Sequence, residues 1–310
     1  MTSAGDMAML TDQLRFPEGP IALGDGSVLV VEIEGRSLTR VTPGGAVERL
    51  AMLEGGPNGA APGPDGWVYI CNSGGWTYVR EGAWTRPSGQ SEAPGWIERV
   101  HLETRRVERL YETCGDAALR SPNDIVFDAD GGFYFTDHGK RNARTMDIGR
   151  VYYGHTDGRP LVEVAAGLVT PNGIGLSADA RTLFVAETIT RRLWAFTLSA
   201  PGVIAPEPWP SPCGGRLVAA LEGAAYLDSL AIDAAGNICV ASFNHCGIHE
   251  ISPDGAHHRF VPLDDFYATN IAFGGPDNCT AYVTLSSSGR LVALPWPRPG
   301  LPLAFQDSIA

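Results

Sequence analysis

Six side chains of this sequence recur at one place in a repeated stretch: Glu18, Asn58, Asn123, Asn172, Asp228 and Asn270. All offer oxygen, and none offers sulfur or an aromatic nitrogen. Collected at one axis, the two carboxylates would neutralise a divalent cation, and amide carbonyls would complete its shell without adding charge. Hard oxygen donors of this kind suit Ca2+, Mg2+ or Mn2+ better than a structural zinc.

The clearest copy of the stretch is TPNGIGLSADARTLFVAET, Thr170 to Thr188. A polar residue precedes a short apolar run, a tight turn follows, and a second apolar run returns. Seven residues after each polar residue stands Asp25, Asp65, Asp130, Asp179, Ala235 or Asp277. Asp closes turns well because its side chain accepts from its own backbone. The six units are spaced by 40, 65, 49, 56 and 42 residues, periods that signal a propeller or a related repeat. Runs bounded by Gly, Pro and Asp, with no useful helical periodicity, make the chain all-β. The expectation is one six-bladed β-propeller domain over residues 1–310, with blades beginning near 16, 56, 121, 170, 226 and 268 and a metal site in the central channel.

In such a ring the innermost strands begin on one face, and the second strands return to it. That face would also hold the second-strand ends at Glu32, Asn72, Asp137, His138, Glu187, Asn244, His245 and Ser286. The insertions 73–96 and 139–149 open there too, whereas the Pro-rich segment 201–215 falls on the opposite face. Residues 1–15 read as a lead-in that adds an outer strand.

The bulk numbers exclude some functions. A net charge of −12 over 310 residues disfavours nucleic acid as a partner. No apolar run approaches the roughly 18–20 residues that span a bilayer, and the N-terminus lacks the basic and apolar regions of a signal peptide. The expectation is a cytoplasmic protein without a membrane partner. The six cysteines show no CxxC spacing, so reduced, buried thiols are expected.

The segments PEGP at 17–20, SPNDIVFDADGGFYFTD at 121–137, PNGIGLSADARTLFVAET at 171–188 and TNIAFGG at 269–275 resemble the senescence-marker-protein (regucalcin)/gluconolactonase family. The resemblance runs from about Phe16 into the sixth unit. It implies a six-bladed propeller, one divalent metal in the channel and hydrolysis of a small-molecule lactone. Carried over by position, it implies Glu18, Asn172 and Asp228 as metal ligands. Asn123 would be a further ligand or a substrate contact. Calcium is the expected ion, with Zn2+, Mg2+, Mn2+ and Fe2+ as alternatives. Ser121 stands where sugar-lactone members carry Arg.

On this reading the metal stabilises the oxyanion formed by water attack, and Asp228, or else Glu18, accepts the proton. His138 at the rim is the rival base. Asn58, Asn123, Ser121, His138 and Asn270 are the candidate substrate contacts. A calcium-binding propeller without catalysis, and a phosphotriesterase-like hydrolase on the same fold, are the alternative readings.

Overall fold

A computed structural model describes residues 7–309; the first six residues of the lead-in and Ala310 lie outside them. Six antiparallel sheets of four or five strands stand around an axis. Their innermost strands are Pro17–Ala22, Pro57–Pro62, Pro122–Phe127, Pro171–Leu176, Ala225–Ile232 and Ala268–Gly274. Strand Ala8–Thr11 pairs with Arg290–Pro295, so the lead-in supplies the outermost strand of the last blade and closes the ring. The all-β, six-bladed expectation holds.

Each innermost strand breaks register with its neighbour at the polar position. The shifts lie between Glu18 and Ile21, Pro57 and Ala60, Pro122 and Ile125, Pro171 and Ile174, Leu227 and Leu230, and Ala268 and Asn270. Bulges re-aim side chains and gather beside active sites; here one bulge per blade accompanies the polar residue nearest the axis. The residue after it is Gly19, Gly59 or Gly173 in three blades. A Cβ on Gly173 would lie 2.6 Å from the Asp228 carbonyl oxygen, and one on Gly59 2.5 Å from that of Asn123. At these three positions the inner strands of adjacent blades approach so closely that only glycine fits between them.

The turns follow the expectation in part. Asp25, Asp179 and Asp277 each accept a backbone N–H two residues on. In blades three and five, Asp128 and Asp233 do this instead, Asp128 taking the N–H groups of Asp130 and Gly132. Asp65 accepts from the Tyr69 hydroxyl. The cysteines are all free and four are buried. Among the described residues no helix is long and apolar enough to cross a membrane.

The C-terminal segment crosses the far face of the ring. Leu301 N–H donates to Ile232 O, Gln306 Nε2 to Ala22 O, and Ser308 Oγ to Gly63 O. It covers the channel mouth opposite the insertions, over a cavity of about 290 Å³.

Candidate functional site

At the other mouth lies a cavity of about 640 Å³ whose floor carries Glu18, Asn58, Asn123, Asn172 and Asp228. All five are buried. Asn270, the sixth residue of the ring, donates from Nδ2 to Glu18 Oε2 at 2.7 Å. It lines the far cavity rather than this one, so it positions the Glu18 carboxylate. Gly19 N–H reaches the same oxygen at 2.5 Å. Asn172 Nδ2 donates to Thr188 Oγ1, which leaves its carbonyl oxygen facing Ser229 Oγ at 3.4 Å.

A third carboxyl joins the two expected at the axis. Asp124, next to Asn123 in SPND, is buried and accepts from Ile125 N–H at 3.0 Å and, more loosely, from Ile174 N–H at 3.4 Å. Burial pushes it up to about 7. Burial pushes Asp228 up to about 8, opposed by its bond with Asn172 and reinforced by Asp124. Glu18 rises well above the carboxylate range, first by burial, then by the charges of Asp228 and Asp124. Buried carboxyls this close cannot all ionise without a counter-charge.

These residues fit a divalent cation. The Asn123 side-chain oxygen is buried and finds no hydrogen-bond partner, an omission that buried acceptors rarely show. No lysine or arginine among the described residues meets the floor carboxyls; Arg141, at the cavity's edge, is the one such side chain in its lining. An all-oxygen set with two carboxylates would satisfy the orphaned amide and offset the charge together.

The other expected residues separate. His138 lines the cavity. Its Nδ1 sits 3.3 Å from the Gly139 carbonyl; a carbonyl only accepts, so Nδ1 carries the proton and Nε2 keeps the lone pair. Burial lowers its pKa to about 4, so the ring is neutral at pH 7. Ser121 is not part of the lining; its hydroxyl accepts from Gln90 Nε2 at 2.9 Å. The acids at the second-strand ends serve the scaffold. Glu32, Asp137 and Glu187 accept from the backbone N–H of Arg15, Ser121 and Val169, and Asn72 does the same for Gly56. Each fixes the chain where it enters its own blade. His245 packs on Phe260 in the outer part of blade five.

The insertion 73–96 contains a hairpin, Trp76–Glu81 with Trp84–Gln90, that roofs the cavity. Arg80 pairs with Glu34 of blade one, Thr85 N–H donates to Ser287 O of blade six, and Trp84 meets Phe266 edge-on at 4.9 Å. Gln90 ties the roof to the second insertion: its Oε1 accepts from Arg141 N–H at 3.1 Å, and Lys140 Nζ donates to Ser73 O at 2.7 Å.

Residues 16–287 match the family model described as SMP-30/Gluconolactonase/LRE-like region. The chain belongs to that family. Its relatives include the lactonase drp35 of Staphylococcus epidermidis, 36% identical over 145 residues, 46% of this chain and 42% of that protein. This chain therefore matches less than half the length of that lactonase. The gluconolactonase of Zymomonas mobilis is 27% identical over 277 residues, 80% of this chain and 69% of that one. Among solved structures, a regucalcin of Agrobacterium tumefaciens described as calcium-binding superposes with a TM-score of 0.75 at 19% identity, covering 96% of each chain. The gluconolactonase XC5397 of Xanthomonas campestris gives 0.73 at 22% identity, with 94% and 89% covered. These similarities support the propeller.

Proposed function

We propose that the protein is a divalent-metal-dependent lactonase. The reading is carried by two buried carboxyls, Glu18 and Asp228, and an orphaned amide oxygen on the floor of one cavity, with a third buried carboxyl, Asp124, on its far side, in a chain of the gluconolactonase family. Glu18, Asn123, Asn172 and Asp228 would hold the metal, with calcium the first ion to test because the Agrobacterium protein is described as binding it. When bound, the cation supplies polarisation of the lactone carbonyl and stabilisation of negative charge on its oxygen. Asp228, buried on the cavity floor, takes the proton from the attacking water. Water oxygen bonds to the carbonyl carbon, the ring acyl C–O bond breaks, and the ring oxygen gains a proton, giving a hydroxy acid. His138 offers its Nε2 lone pair to a substrate hydroxyl, and the hairpin roof limits water in the cavity.

Asp228→Asn keeps an oxygen donor and removes the proton acceptor. We expect it to retain metal at close to one equivalent while turnover of five- and six-membered lactones falls at least a hundredfold, in the range of a lost general base. Retained turnover in that variant would remove Asp228 from the chemistry.

A further inference from the structure

The walls of the cavity differ in character, and the difference deepens the lactonase reading on which this inference rests. Five rings follow one another along one side: Tyr78 to Phe16 at 5.0 Å, Phe16 to Tyr267 at 5.7 Å, Tyr267 stacked on Phe243 at 4.9 Å, and Phe243 to Tyr226 at 5.4 Å. All five line the cavity. They come from three blades and the roof; Phe16 and Tyr226 each stand two residues before a floor residue, Glu18 and Asp228, and Tyr267 stands three before Asn270, which holds Glu18. The arc is therefore fixed to the same strand ends that carry the floor.

The facing wall carries polar side chains, but most are committed to the protein. Gln90 donates to Ser121 and Gly139 and accepts from Arg141 N–H. Asn142 accepts from the N–H groups of Arg144 and Thr145 and donates to Thr145 Oγ1. Ser88 donates to Thr77. A polyhydroxylated lactone entering this wall would find the His138 Nε2 lone pair for one hydroxyl but leave most of the others without partners, and unpaired buried polar groups are costly. Arg141 is different. Its guanidinium has neither an ion pair nor a hydrogen bond among the described residues, while its backbone is pinned by Gln90 and by a bridge to Met146. It is an uncommitted cation on a pinned backbone at the edge of an aromatic slot.

We propose that the preferred substrate is a lactone with a flat apolar body and one anionic group. The body lies along the Tyr78–Tyr226 arc, and a carboxylate reaches Arg141. Guanidinium pairs with carboxylate through two parallel hydrogen bonds, and aromatic walls hold planar apolar groups by stacking and burial. Arg141 is thus a specificity residue for the proposed hydrolysis.

The test uses metal-loaded full-length protein and three substrates: a butyrolactone carrying a para-carboxyphenyl group, its uncharged primary amide counterpart, and glucono-δ-lactone. We expect kcat/KM for the carboxylate to exceed that for the amide by about tenfold or more, as befits a charge-assisted contact. We expect the advantage to sit in KM and to shrink as salt rises. In Arg141→Gln the ratio falls to near one; Arg141→Lys, a charge without the fork, keeps part of it. A carboxylate-to-amide ratio unchanged in Arg141→Gln, or a preference for glucono-δ-lactone, overturns the inference while leaving the lactonase reading intact. Turnover of none of the three overturns both.

Discussion

The close approach of neighbouring inner strands makes Gly173 a sharp probe of how the floor is built. Its backbone is not in the left-handed region, so alanine can adopt it. The added Cβ would meet Asp228 O at 2.6 Å and Leu230 N at 2.9 Å, where ordinary contact begins at 3.4 Å. Both neighbours are backbone of the strand that carries Asp228, so no side chain can swing aside. The inner strands of blades four and five must part by several tenths of an ångström, or the bulge must reshape. Overpacking of this kind costs about 1–3 kcal/mol, and rigid neighbours place Gly173→Ala at the upper end. In a chain of this length that lowers Tm by about 5 °C. Asn172 and Asp228 sit on the two displaced strands, so metal affinity should fall about tenfold or more, as when the supports of ligands are disturbed. Gly24→Ala is the control, because nothing lies within 4 Å of its added Cβ. Calorimetry with and without calcium reads both effects. A tolerated Gly→Ala change stabilises by up to about 1 kcal/mol through the unfolded chain. An unchanged or raised Tm for Gly173→Ala would therefore refute the packing argument.

Acid should weaken the outer part of blade five. His249 Nδ1 faces His258 Nε2 at 2.8 Å, and its Nε2 meets Ser242 Oγ at 3.0 Å; burial lowers its pKa to about 3 from an ordinary 6.5. The folded state favours neutral His249, so its contribution is fully present above pH 6.5 and is lost as pH falls from 6.5 towards 3. Urea midpoints should decline across that window, and His249→Gln should flatten the decline; a variant with the same slope would exclude His249 as its source. Replacing residues 76–90 with a short Gly-Ser link should leave Tm within a few degrees, since the hairpin belongs to no blade. The same change should raise KM at least tenfold by removing Trp76 and Tyr78, and a KM near that of the intact protein would show that the roof does not shape the site.

The ring of polar residues was legible because each stands at a constant offset from its turn, and the bulge that brings it to the axis sits at that place in every blade. Asp124 was hidden by the same regularity: in SPND it follows the expected Asn123, and nothing in its neighbours marks it as buried at the axis. The acids at the second-strand ends are a related case. Glu32, Asp137 and Glu187 do reach the functional face, but their oxygens are taken by backbone N–H groups 16 to 18 residues earlier in the chain. Spacing shows where a side chain stands and not which partner it finds. The roof was unreadable for a third reason. Residues 73–96 mix Gly, Pro and Ser with three Trp, and their course is set by contacts with Glu34, Phe266 and Ser287 in other blades.

On the proposed function, buried carboxyls and amides at the channel mouth hold a cation needed for lactone hydrolysis. Acid release from a panel of lactones should be followed with metal-stripped protein, then with Ca2+, Mg2+, Mn2+, Zn2+ and Fe2+ restored singly, alongside Tm. Stripping should abolish turnover and lower Tm, and one ion, calcium first, should restore both at one equivalent. Full turnover by protein shown to be metal-free would contradict the proposed function.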